Sequence, residues 1–362
     1  MRVTGLRTER VMLPLASAVG SAIHTFDKVG CVLTFIETDG GVVGEGFVFS
    51  LNGARLAVLE YMIASLAQHV VGRDIDDSED IWAAMWSDVN FFGQQGITIY
   101  GISAIDMALW DARGKQSGKS IARLLGRRRE TIAAYASGGL FLSRTREQLE
   151  KEARMFVDKG FKAMKVRVGG PDLKQDIARV RLVRETIGPD IGLMIDANQG
   201  LTRDNAIRLG RALADLDLTW FEEPVAASDR EGAAAVAAAL DVPIAAGETE
   251  YARNGFRQII EAKAAEVLMP DLMRVGGVSE FAKIAHYAEI ANLPISPHLF
   301  PEQSLQLVGA FSNAIVFEHV DWFSPLYEDA IEINNGMAVI PDRPGFGFPF
   351  SEKAITRYRI SN

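Results

Sequence analysis

The spacing of apolar residues changes twice along the chain, near residue 125 and again near 325. Before the first change the pattern is mixed. "RVTGLRTERVML" alternates as a strand does, and "CVLTFIETDGGVVGEGFVF" reads as two strands folded at Asp39-Gly40-Gly41. The segment 16–29 between them interrupts the alternation with Ser17, Gly20, Ser21, His24 and Lys28, and is expected to be a mobile loop. Helical spacing follows over about 53–70, 78–90 and 97–117. Residues 1–125 are thus expected to form an α+β domain.

From residue 131 short apolar strands alternate with helical segments. The strands are "TIAAYAS", "FKAMKVRV", "IGLMIDAN", "TWFEEP", "PIAAGE", "EVLMPD", "PISPHLF" and "AIVFEHV". Eight strands separated by helices over residues 126–324 predict an α/β fold of barrel type. An open doubly wound sheet would carry a phosphate-binding glycine fingerprint early. "GVVGEG" has the wrong spacing and sits in a hairpin. The tail from about 325 to 362 returns to a mixed pattern and is expected to pack back on the first domain.

Composition narrows the function classes. The 362 residues are 48% hydrophobic and 23% charged, with net charge −9. The only basic run, "RRR" at 127–129, is short, so nucleic-acid binding is not expected. No apolar run is long enough to span a bilayer, and the N-terminus lacks a signal peptide's apolar core. Cys31 is the single cysteine, which excludes an internal disulfide. A cytoplasmic protein is expected.

Polar and charged residues recur where nearly every strand ends: Asp196 and Asn198, Glu222 and Glu223, Glu248, Asp271, His298, Glu318. Asp196 and Glu222 are 26 residues apart, and so are Glu222 and Glu248. That is about one βα repeat, so the three carboxylates are expected at equal heights on the C-terminal rim, where barrel active sites form. Three converging carboxylates repel unless a cation joins them, and oxygen ligands favour Mg²⁺. Taken singly, each acid is as readily a rim charge in a salt bridge; the repeated spacing is what favours a metal site. Asp271 beside His298 would fix one imidazole tautomer and leave the other nitrogen for proton transfer. Glu318 could donate a proton if its environment raised its pKa. Lys165 and Arg167, two apart in a strand, face the same side, as charge balance for the rim or as an anion site. His24, Lys28, Asn198, Gln199 and Arg274 are candidate substrate contacts.

These motifs together resemble the enolase superfamily, specifically its mandelate racemase subgroup. The resemblance is carried by "AIDMALWD" at 104–111, "KVR" at 165–167, "IDANQ" at 195–199, "WFEEP" at 220–224, "AGE" at 246–248, "PDLMRVGG" at 270–277, "SPHLF" at 296–300, "FEH" at 317–319 and "IPDRPGFG" at 340–347. "YASGGLFLSRT" and "LMIDANQG" look most like acid-sugar dehydratases of galactarate/talarate type. The resemblance implies a modified TIM barrel, (β/α)7β, capped by the N-terminal domain. It implies one Mg²⁺ on Asp196, Glu222 and Glu248, an Asp271–His298 acid/base dyad, and Glu318 near a substrate carboxylate. It also implies a homo-oligomer, an octamer or smaller. The implied chemistry removes a proton α to a carboxylate and stabilises the enediolate.

One position departs from that pattern. The subgroup typically has Lys-x-Lys on the second barrel strand, and its second Lys is a base facing the His. Here that residue is Arg167. An Arg would have to fall by about five pKa units, roughly 7 kcal/mol at about 1.36 kcal/mol per unit, to act as a base near neutrality. Racemisation needs a base on each face of the α-carbon; dehydration of an acid sugar needs one. The expected function is therefore dehydration of an aldonate or aldarate to a 2-keto-3-deoxy acid. The alternatives are a racemase or epimerase using Lys165 as second base, and a non-catalytic sugar-acid binder. A Schiff-base aldolase on Lys165 would leave the carboxylates unexplained.

Overall fold

The computed structural model describes residues 1–360; the last two residues of the expected tail, 361 and 362, lie outside them. The chain opens with a three-stranded antiparallel sheet: β1 (Val3–Gly20), β2 (Thr25–Thr38) and β3 (Val43–Leu51). The expected turn at residues 39–41 joins β2 and β3. The expected loop over 16–29 is not a loop. β1 and β2 run on as a paired ribbon through Val19↔Phe26 and Gly20↔Thr25, and only residues 21–24 turn. Of the residues that interrupted the alternation, Ser17, His24 and Lys28 are exposed, whereas Val19, Gly20, Phe26 and Val29 are buried. A register irregularity between Pro14 and Val19 explains why the strand pattern breaks there.

Helices α1 (Leu56–Ser65), α2 (Ser78–Asp88) and α3 (Ile97–Ser117) cover the sheet, and the short α4 (Ile121–Leu124) leads out of it. The glycines of "GVVGEG" allow this packing. A Cβ on Gly44 would lie 2.0 Å from the Ala108 carbonyl oxygen, and one on Gly46 2.5 Å from that of Ala104, so β3 can touch the α3 backbone only as glycine.

The barrel strands are β4 (Thr131–Ala136), β5 (Ala163–Arg167), β6 (Gly192–Asp196), β7 (Leu218–Glu222), β8 (Ile244–Ala246), β9 (Val267–Leu268) and, closing onto β4, β10 (Phe317–His319). Neighbours pair in parallel. The seventh strand position, residues 294–298, makes only single bridges, Leu268↔Ile295, Asp271↔His298 and Ile295↔Ala314. Its two prolines, Pro294 and Pro297, remove ladder donors. Between these strands run α5 (Arg146–Asp158), α6 (Leu173–Ile187), α7 (Arg203–Ala212), α8 (Arg230–Ala239), α9 (Ala252–Ala262), the short α10 (Leu272–Val275) followed by α11 (Val278–Ile290), and α12 (Pro301–Ala310). After β10 the chain turns through a short 3-10 segment (Ser324–Leu326) into the tail, with β11 (Ile333–Asn334), β12 (Met337–Val339) and α13 (Glu352–Tyr358). This is a capped (β/α)7β barrel.

Tail and cap meet. Phe350 stacks edge-on to Phe35, and the Ile360 amide donates to the Arg10 carbonyl at 3.0 Å. Phe47 of β3 packs against Phe300 and Phe323 of the barrel, with centroids 4.8 and 5.1 Å away. Polar contacts pin α3 to the barrel as well. The Ser103 hydroxyl donates to the Leu272 carbonyl at 2.6 Å, and Asp106 accepts from both the amide and the hydroxyl of Ser279 at 3.0 and 2.6 Å. Burial pushes the Asp106 carboxyl up to about 7 against those hydrogen bonds. The folded chain therefore holds this proton more tightly than the unfolded chain. The group's contribution is present at acid pH and is lost as pH rises from about 4 to about 7. Asp106→Asn is expected to flatten the fall in stability over that range, by up to about 1.4 kcal/mol per pH unit. Urea midpoints at several pH values measure it, and an unchanged slope would count against the assignment.

Candidate active site

Three carboxylates converge at the mouth of the barrel. Each of Asp196, Glu222 and Glu248 offers an oxygen, and the three oxygens lie within 4.8 Å of one another. Asp196 and Glu222 are register partners across β6 and β7, as their spacing implied. Glu248 is different. β7 residue Glu222 pairs with Ala245, so Glu248 lies beyond the end of β8, not at the same height. It reaches back because Gly247 adopts φ +127° and packs bare against Phe256, where a Cβ would meet the ring at 2.7 Å. The equal spacing of 26 is thus two different geometries.

Lys165 and Arg167 both point into the barrel and are almost wholly buried, while Met164 and Val166 pack outward. The Lys165 ammonium bonds Glu222 closely and also sits 3.1 Å from Glu318 and 3.5 Å from Asp196. Burial alone would pull this lysine down, but Glu222 and Glu318 outweigh it and hold it above its ordinary value. Arg167 pairs with Asp196 through Nε at 3.2 Å and donates to the Ser137 hydroxyl at 3.2 Å. Its guanidinium carbon lies 5.0 Å from the Phe141 ring centroid, and its second terminal nitrogen is buried without a partner.

On the other flank, His298 Nδ1 is 2.7 Å from Asp271 and Nε2 is 3.4 Å from Glu248. Asp271 is itself fixed, because its other oxygen caps α10 by accepting from the Arg274 amide at 3.0 Å. Burial disfavours the imidazolium, yet Glu248 and the Asp271 hydrogen bond more than reverse it and push His298 up to about 10. Glu222 is pushed up to about 8 by burial, against the pull of Lys165.

Glu318 departs from its expected role. Burial would raise its pKa, but Lys165, His298, the Leu299 amide at 2.7 Å and the Ser137 hydroxyl at 2.7 Å hold it well below the usual carboxylate range. These contacts favour the charged carboxylate over the protonated acid. Glu223 points away from the triad and binds Gln199 at 2.7 Å and Thr249 at 3.1 Å.

A cavity of about 360 Å³ opens over these groups. Asn198, Arg274 and His24 line it, as do Arg167 and His298. Lys28 does not; it is exposed on β2. The sequence offered no signal for Arg55 or Tyr100, which do line it. Arg55 arrives through a turn of left-handed backbone that includes Asn52, Gly53 and itself, and Tyr100 sits in α3 with its hydroxyl 3.2 Å from that of Tyr251. Aromatic residues Phe26, Phe49, Phe141 and Trp322 complete one wall. Non-glycine residues with positive φ cluster at this rim: Asn198 (40°), Gln199 (64°), Glu223 (37°), Leu299 and Phe300 (49° each). Such backbone costs on the order of 1–3 kcal/mol per residue and collects at functional sites.

The donor set suits a hard dication. Three carboxylates (Asp196, Glu222, Glu248) converge within 4.8 Å of one another, with the single ammonium of Lys165 and the Arg167 guanidinium as their cationic contacts. The side-chain oxygen of Asn198 is also buried without a donor. Cysteine is absent from the site, since the single Cys31 is buried elsewhere and unpaired.

Fold and site define a capped-barrel enzyme class. The sequence profile described as "Mandelate racemase / muconate lactonizing enzyme, N-terminal domain" matches residues 4–126, and that described as "Enolase C-terminal domain-like" matches residues 148–354. The chain belongs to the mandelate racemase/muconate lactonizing enzyme group of the enolase superfamily. It is 34% identical to L-talarate/galactarate dehydratase of Salmonella typhimurium, over 98% of this chain and 90% of that protein. It is also 34% identical to D-galactarolactone cycloisomerase of Agrobacterium fabrum, over 99% of both chains. Among solved structures, L-talarate dehydratase from Polaromonas, complexed with Mg and L-glucarate, superposes with TM-score 0.94 at 35% identity, covering 99% of this chain and 98% of that one.

Proposed function

We propose that this protein is a Mg²⁺-dependent dehydratase of an acid sugar, an aldonate or aldarate, giving a 2-keto-3-deoxy acid. One observation carries the reading: the carboxylate triad has an imidazole on one flank and a guanidinium on the other. Asp196, Glu222 and Glu248 would hold the metal. When bound, Mg²⁺ would stabilise charge developing on the substrate carboxylate and offset the Glu248 attraction that keeps His298 protonated.

The protein's own residues then divide the work. Asp271 holds Nδ1–H, so Nε2 of His298 is the free base. It takes the C2 proton, and the C2–H electron pair moves toward C1 and its carboxylate. That pair then returns to form the C2=C3 bond as the C3–O bond breaks with its own electron pair, and the departing oxygen takes that same proton from His298 and leaves as water. The resulting enol becomes the ketone by gaining a proton at C3 and losing its hydroxyl proton. Lys165, ion-paired with Glu318 as well as with the triad, serves as an electrostatic residue. This argues against the racemase alternative, which requires it as a second base. Incubating the enzyme with Mg²⁺ and a library of acid sugars and their lactones, with semicarbazide detection of 2-keto product, tests the reading. Inversion at C2 with no such product would replace dehydration by racemisation. Ligand binding without product or exchange would leave only a binder.

A further inference from the structure

We infer that the protein carries a second, metal-free binding site for an acid sugar, in the cleft on the outer side of the barrel between β1, α5 and the segment that follows β10. This cleft lies apart from the carboxylate triad, and its occupancy is independent of the dehydratase reading.

The cleft follows from the fold. Each earlier barrel strand hands over to a helix that covers the wall outside it, whereas β10 is followed only by the turn Ser324–Leu326. Beside α5 this leaves a cavity of about 810 Å³, more than twice the 360 Å³ over the triad. On β10 the side chain of Glu318 points inward to Lys165, so that of its neighbour His319 points outward, into the cleft. Trp322 borders both cavities, which therefore share that side chain as a wall.

Some of the charges in the cleft are already spent. Arg144 bonds Glu152 at 2.6 Å, the Ser17 hydroxyl at 2.8 Å and the Ala18 carbonyl at 3.2 Å, and the other oxygen of Glu152 accepts from the Leu140 amide at 2.7 Å. Three groups are not. Among the described residues, the Lys159 ammonium and the Asp321 carboxylate make no ion pair and the His319 ring makes no hydrogen bond, and all three line the cavity. Burial holds His319 below its ordinary pKa, so at neutral pH it offers one donor and one acceptor. Phe161 lies 5.4 Å from the His319 ring, and Phe156 and Trp322 add further aromatic surface.

This set of groups selects a ligand class. The cation calls for an anion. The carboxylate and the neutral imidazole call for groups that both donate and accept, as hydroxyls do. The aromatic rings take the C–H faces of a carbon chain. A polyhydroxy carboxylate satisfies all three. A fatty or aromatic acid would leave Asp321 and His319 without partners, a neutral polyol would leave Lys159 without one, and a phosphorylated ligand would bring two negative charges beside Asp321.

Calorimetry on the full chain, in EDTA and again with Mg²⁺, tests the site with gluconate as probe and with glucitol, acetate and serine as its partial mimics. One gluconate per chain is expected to bind outside the triad and to persist in EDTA, with each mimic at least ~10-fold weaker. Lys159→Met and Asp321→Asn each remove one charged partner from an exposed position where the fold does not depend on it. Each is expected to weaken gluconate in EDTA by at least ~10-fold while leaving Mg²⁺ affinity within twofold of the wild type. Absence of gluconate binding in EDTA, or binding that neither substitution weakens, would overturn the inference. Serine bound as tightly as gluconate would overturn the ligand class. Sedimentation showing that either variant dissociates an assembly of the wild-type chain would overturn it as well, by giving the cleft to a second copy. None of these outcomes bears on the triad, which chelation-sensitive turnover tests separately.

Discussion

His298→Asn is expected to lose at least ~10³-fold in product formation while Mg²⁺ affinity stays within a few-fold of wild type. A positioned acid/base supplies about 10²–10⁴-fold, and in the proposed reaction His298 serves twice, in proton removal and in protonation of the leaving oxygen. Asparagine can still donate to Asp271, so the carboxylate that caps α10 keeps a partner and the local fold is retained. It has no nitrogen that can take up a proton. The metal site should be nearly indifferent, because His298 meets the triad only at Glu248, and at 3.4 Å. Semicarbazide assay and Mg²⁺ titration by calorimetry read the two halves independently. Turnover within tenfold of wild type would move the base to another residue, with Lys165 the first to examine.

Glu222→Gln is expected to abolish Mg²⁺-dependent turnover and weaken Mg²⁺ binding by at least ~100-fold, the upper end of what loss of an outer-shell partner costs. Glutamine keeps the shape and can still accept from the Trp220 indole, which donates to Glu222 at 3.0 Å. It removes one anion from the triad and the closest partner of Lys165. A thermal shift separates metal loss from unfolding. Ligand at a hundred times its Kd stabilises a native protein by about 2.7 kcal/mol, so added Mg²⁺ should raise the melting temperature of the wild type and leave the variant unmoved. An equal shift in both proteins, or full wild-type activity after exhaustive chelation, would remove this triad as the metal site.

Alternation within a strand is dictated by the pleat, so the inward direction of Lys165 and Arg167 was readable two residues at a time. Helical spacing likewise located α3 to within its observed ends, Ile97 and Ser117. Residues 16–29 read as a loop by composition, yet pair as a ribbon, because polar residues on a solvent-facing edge look like loop residues. The equal spacing that groups Glu248 with Asp196 and Glu222 says nothing of the backbone excursion at Gly247 that brings its side chain within 4.8 Å of theirs.

By itself the amino-acid sequence determined the order of strands and helices, the residues that face the barrel interior, and the set of acids at the strand ends. These follow from local periodicity, which a few consecutive residues express. Only the tertiary structure decided that Glu318 accepts from Ser137 and the Leu299 amide, that Lys165 is locked among carboxylates, that Lys28 lies outside the cavity, and that Arg55 and Tyr100 line it. Charge states and cavity walls are sums over groups brought together from distant parts of the chain, and a sum of that kind exists only once the chain has closed on itself.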